Sequence, residues 1–130
     1  SNSGLVPPRV AYLYLNSDRR VSCMWRDDAN TTHLLNSPGA LALNTRYVVS
    51  ARRVGEVASL FVNGVQVSSS TATLGVTTVN TSSIGALFST AAQSFFAGDL
   101  YHLSFGQSTL SDSDRAAIEK FAASQAGAVL

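Results

Sequence analysis

A chain of 130 residues, 45% hydrophobic and only 13% charged, is one ordered domain with enough material for a core of its own. The formal net charge of +1 excludes nucleic acid as a partner, because phosphate binding needs concentrated Lys and Arg. The single Cys23 excludes an intrachain disulfide, and no apolar run nears the ~20 residues of a membrane-spanning helix, so neither cross-linking nor membrane insertion is expected.

Residues 1–8, with Val6-Pro7-Pro8, read as an extended leader, and residues 9–130 as the domain. Short apolar runs separated by Ser, Thr, Gly and Asn then follow one another, the pattern of an all-β sandwich. Arg9 to Leu15 is the first expected strand. After the polar Asn16-Ser17-Asp18 turn comes Val21 to Trp25, in which Cys23 reads as a small buried hydrophobe. Thr31 to Leu35 is a third strand, ended by Asn36-Ser37-Pro38-Gly39. Thr45 to Arg53 alternates Tyr47, Val49 and Ala51 on one face with Val48, Ser50 and Arg52 on the other. The pairs Arg19-Arg20 and Arg52-Arg53 read as solvated turns or strand ends.

Val54-Gly55-Glu56 turns the chain into Ala58 to Val62, and Asn63-Gly64 between two apolar runs marks a two-residue hairpin in which both central residues take positive φ. Ser68 to Thr73 reads as a surface loop or edge strand. Thr77 to Gly85 and Gly98 to Phe105 are the last expected strands, the latter with Tyr101, Leu103 and Phe105 on its apolar face. A helix starts at Ser111, where a capping hydroxyl precedes Asp114 by three residues and Asp112 and Asp114 occupy the positive first turn. Ala117, Ile118, Phe121 and Ala122 form its apolar stripe, and Ile118 and Phe121 are expected to pack on the sheet. Gly127 ends it.

The ordered set Tyr47-Val48-Val49-Ser50-Ala51, Leu60-Phe61-Val62-Asn63-Gly64, Ile84-Gly85, Phe96-Ala97-Gly98-Asp99-Leu100-Tyr101 and Leu110-Ser111-Asp112-Ser113-Asp114 resembles the C-terminal part of the laminin-G-like, concanavalin A-like lectin/glucanase superfamily. The resemblance covers about residues 45 to 126. It implies a jelly-roll-type antiparallel β-sandwich with one C-terminal helix, in a family that includes glycan-binding modules, adhesion domains, polysaccharide hydrolases and phage-surface domains. Under this resemblance residues 9 to 35 supply a reduced set of N-terminal strands, or a partner chain completes the sheet, and the family's calcium-ligand pattern is not evident.

A retaining glycosidase places two carboxylates on one face at close range. Here the only glutamates are Glu56, in a turn, and Glu119, on the helix, while Asp27 and Asp28 are adjacent and so point oppositely in a strand. No catalytic residues, cofactor or metal are therefore expected. Asp27, Asp28, Asn30 and Thr32 offer oxygen atoms for a cation, but a polar Asp/Asn stretch between strands is more often only a turn. His33 and His102 lack zinc-type spacing.

The candidate ligand-binding set is Trp25, Arg26, Asp28 and Asn30: the one tryptophan beside polar groups that can hold a sugar. Two functions remain. One is a structural, decoration or adhesion domain held by protein partners in an oligomer or particle such as a phage virion, with the leader and first strand in the contact. The other is an independent lectin-like module for a cell-surface glycan. Both imply an extracellular or virion-surface location.

Overall fold

The structure, a computed structural model, describes residues 11–71, 73, 75, 87–88, 92–93, 97–104 and 110–130. Strands β1 (Ala11–Leu15), β2 (Val21–Arg26) and β3 (Thr32–Asn36) form one antiparallel sheet in that order. Strands β4 (Val49–Val54), β5 (Val57–Val62) and β6 (Val65–Thr71) form a second. A short pair, β7 (Leu87–Phe88) and β8 (Ala92–Gln93), precedes the helix α1 (Asp112–Ala126). The fold is the expected all-β, jelly-roll-type antiparallel sandwich with one C-terminal helix.

Alternation along the strands builds the core. Cys23 lies opposite Leu35 in the first sheet, and together with Val21 they meet Ala58 and Leu60 of β5. Leu60 is wholly buried; filling such a site with a leucine contributes about 1.5–3 kcal/mol. Trp25, Leu41, Val49 and Val67 close the rim. Val67 reaches it because the β5–β6 register shifts between Leu60 and Phe61, which leaves Val67 as the extra residue of a bulge. Burial pushes the Cys23 thiol up to about 12, so it stays neutral, as a packed apolar group should.

Two serines work inside this apolar frame because each has polar partners. The Ser22 hydroxyl, fully buried, donates to Asn36 Oδ1 at 2.6 Å and accepts from Asn16 Nδ2 at 3.2 Å. Ser37 Oγ accepts from the Val21 amide at 3.1 Å, tying the end of β3 to the start of β2.

The hairpin is as expected: Asn63 and Gly64 have φ of 49° and 80°, which join Val62 to Val65 in register. Ser68 to Thr71 resolves into β6, the edge strand of the second sheet in the described residues. The helix carries its predicted ends. Ser111 Oγ accepts from the Asp114 amide at 3.1 Å, and Gly127 closes the last turn at φ 68°.

Two expectations are corrected. Residues 98–104 are irregular rather than a strand: the Arg46 guanidinium lies 4.9 Å from the Tyr101 ring centroid, and His102 meets the Phe121 ring edge-on at 5.3 Å. An alternating pattern serves equally well for a segment whose successive side chains find separate partners. The helix, moreover, does not pack through Ile118 and Phe121, which are 39% and 57% exposed. Glu119 and Ala123 are its buried residues, for the reason given below. The Thr77–Gly85 strand, the leader and Phe105 lie outside the described residues.

Candidate functional site

The four candidate residues lie at one end of the first sheet, where β2 turns into β3. An Asp27-to-Asn30 turn is closed by the Asn30 amide donating to Asp27 O at 3.0 Å, and Asn30 has the positive φ of 67° that such a turn favours in asparagine. Asp28 and Asn30 are exposed on it. Trp25 and Arg26 are consecutive in β2 and so project to opposite faces: Trp25 is half-buried against the core, whereas Arg26 Nε donates across the strand pair to Thr32 Oγ1 at 3.0 Å. Strand alternation thus separates the aromatic ring from the guanidinium, and the polar pair Asp28 and Asn30 lies beyond both on the turn.

Asp27 organises this end. Its Oδ1 accepts from the Thr31 amide at 2.7 Å and its Oδ2 from the Gly75 amide at 2.8 Å, and the side chain is 3% exposed. The Gly75 and Thr31 amides hold its carboxyl below the usual carboxylate range, with the Ala29 amide adding to them and burial opposing. The carboxylate oxygens therefore face the chain's own amides. The sequence shows an acidic pair here but not which member turns inward, since that depends on Gly75, 48 positions away. His33 lies opposite Trp25, and its buried Nε2 has no hydrogen-bond partner among the described residues. Among those residues no three His, Cys, Asp or Glu side chains come together as a metal centre requires.

A second constellation, missed in the sequence, lies between α1 and the outer face of the second sheet. Ser50 and Arg52 of β4 and Ser59 and Phe61 of β5 share that face, because Ser50 pairs with Phe61 and Arg52 with Ser59. Glu119, 3% exposed, accepts a short hydrogen bond from the Ser50 hydroxyl and a 2.7 Å ion pair from Arg115 Nη1. The Arg115 guanidinium lies 3.8 Å from the Phe61 ring centroid, with Arg52 at 5.6 Å. Arg52 also donates to Asp112 Oδ1 at 2.8 Å and to Leu110 O at 3.1 Å.

The helix face that meets the sheet is therefore Asp112, Arg115, Glu119 and Ala123, three charged side chains and one small one, matched to the hydroxyl and guanidinium that β4 presents. The apolar stripe faces elsewhere. The available signal was the spacing itself: Asp112, Arg115 and Glu119 lie at i, i+3 and i+7 opposite Ser50 and Arg52 at i, i+2.

All acidic residues of the chain fall within the described residues, so their surroundings can be compared directly. Glu56 is exposed on the β4–β5 turn and accepts from Thr73 Oγ1 at 3.1 Å. Glu119 contacts Ser50, and Ser50 and Val54 are separated by roughly 13 Å of strand rise, against the ~5 Å between the carboxyl groups of a retaining glycosidase. Asp18 pairs with Arg20 at 3.3 Å, and Asp99 lies 3.5 Å from the Tyr101 hydroxyl.

Comparison with protein-family models gives a match over most of the chain. The family model described as the concanavalin A-like lectin/glucanases superfamily matches residues 2–114, which takes in the three strands of the first sheet as well as the hairpin of the second. No curated protein and no solved structure matches the chain.

Proposed function

The chain belongs to the concanavalin A-like lectin/glucanase superfamily, and from that premise we propose that it is a non-catalytic interaction module, a structural, decoration or adhesion domain of a larger extracellular assembly such as a virion surface. The superfamily contains both binding modules and hydrolases. What favours binding is the placement of the carboxylates: the two glutamates are far apart, Glu119 is committed to Arg115 and Ser50, and Asp27 is committed to backbone amides. A glycosidase needs one carboxyl free to protonate a leaving group and a second beside it.

Exposed apolar side chains support a protein partner. Leu100, Tyr101 and Leu103 are 59%, 50% and 52% exposed, and Phe121, joined to them through His102, is 57% exposed. Several large apolar side chains left exposed on neighbouring positions favour an association site. Sedimentation equilibrium of the chain at high micromolar concentration tests the proposal. Self-association that weakens in Leu103→Ser and Phe121→Ser agrees with it. A monomer at all concentrations, with unchanged behaviour of both variants, counts against it.

A second reading, an independent glycan-binding module, draws on the exposed Asp28 and Asn30 at the β2–β3 turn with Trp25 and Arg26 behind them. Glycan-array binding abolished by Asp28→Ala or Asn30→Ala would favour it over assembly.

A further inference from the structure

The Asn63-Gly64 turn joins an unusually reactive dipeptide to an unusually specific clamp. Asn63 is the one asparagine of the chain followed by glycine, and glycine leaves its own amide nitrogen sterically open to the preceding side chain. In the fold, Asn63 Oδ1 accepts from the Val48 amide at 2.9 Å, while the Asn63 amide donates back to Val48 O at 2.8 Å. The side-chain carbonyl is thus turned toward the residue that leads into β4 and held there.

We infer that Asn63 is a site of spontaneous deamidation that the hairpin keeps closed, and that it converts only when the Val48–Asn63 clamp opens. The Gly64 nitrogen, on losing its proton to solvent base, attacks Asn63 Cγ. A C–N bond forms, the Cγ–Nδ2 bond breaks, and ammonia leaves with a proton from water. The resulting five-membered imide adds water at one of its two carbonyls and opens to Asp or to isoaspartate. Water is the only co-reactant, and nothing is oxidised or reduced.

The Val48 N–H has two opposed effects on this step. It polarises the Cγ carbonyl, which favours attack, but attack requires the side chain to rotate toward Gly64, which breaks the bond. Rotation also has to displace a turn whose two residues both hold positive φ, so geometry outweighs polarisation.

The two products have different consequences. Aspartate keeps an oxygen where Oδ1 was, so it can still accept from Val48. Isoaspartate routes the main chain through an extra methylene, and a two-residue turn can no longer join Val62 to Val65 in register. Either product adds one negative charge to a chain of formal charge +1, bringing it to 0, where self-association is least opposed.

The test is peptide mapping by mass spectrometry, with fragment ions to localise each converted asparagine, after parallel incubation of the full chain in mildly alkaline buffer and in the same buffer with denaturing urea. In urea, Asn63 should convert before every other asparagine. In the fold it should convert at least tenfold more slowly, and Val48→Pro, which lacks the clamping N–H, should recover most of that factor. Should Val48→Pro fail to fold, the same comparison is made on the parent chain across sub-denaturing urea, where the Asn63 rate should rise with the open fraction measured by hydrogen exchange of the hairpin. Equal rates in the fold and in urea, a rate independent of hairpin opening, or earlier conversion of another asparagine in urea would each overturn the proposal.

Discussion

Both oxygens of the Asp27 carboxylate accept from backbone amides, and one of those amides belongs to Gly75, beyond the end of β6. The bonds favour the ionised form, so the folded pKa lies below the unfolded value of about 3.9. Its contribution to stability is therefore fully present above that unfolded value and is lost as pH falls through the lowered folded one. Asp27→Asn should melt below the parent at neutral pH, and the gap should narrow as the buffer is acidified through that window. Thermal melts of the two proteins across an acid pH series check this. Gly64 is constrained differently, by its φ of 80°. Gly64→Val forces a β-branched residue into left-handed backbone and should cost of order 1–2 kcal/mol, read as a lower denaturation midpoint with unchanged slope. The Asn-Gly dipeptide was legible because turn chemistry is local. Which of Asp27 and Asp28 turns inward was not, because the deciding amide is far along the chain.

At the scale of elements, α1 shows how a correct helix can be given the wrong face. Its boundaries follow from Ser111 and Gly127, each acting within one turn of itself. Its packing follows from what β4 and β5 present, and that is Ser50, Arg52 and the Phe61 ring rather than an apolar groove. Glu119→Ala takes the 2.7 Å partner from the Arg115 guanidinium, 13% exposed, leaving it only the longer 3.9 Å contact with the exposed Asp112, and should destabilise by about 3 kcal/mol. Phe121→Ala removes a ring that is 57% exposed and touches His102 edge-on, so about 1 kcal/mol or less is expected. Urea denaturation of the two variants tests the assignment directly, since an apolar attachment through Phe121 would reverse the order. The strands were easier to read. Val21 to Trp25 and Ala58 to Val62 end within one residue of β2 and β5, because a period of two bounded by turns has few alternatives.

For the molecule as a whole, the two buried carboxylates, Asp27 and Glu119, are engaged with the chain's own amides, hydroxyl and guanidinium, and the proposed function rests on that placement. No hydrolysis of β-glucans or galactans is therefore predicted in a reducing-sugar assay, and Glu56→Gln should change nothing there. Turnover that disappears in Glu56→Gln would contradict the non-catalytic reading. The fold class, the family resemblance, the hairpin and the limits of the helix were legible in the residues alone, because each depends on short-range periodicity, turn stereochemistry or capping. It took the packed molecule to show that Trp25 lies against the core while Arg26 crosses to Thr32, that residues 98–104 are irregular with His102 set against Phe121, and that a buried Glu119 rather than Phe121 attaches α1 to its sheet. Periodicity identifies the faces of an element but not its neighbour, and burial of a charge is set by the partners that the rest of the chain brings to it.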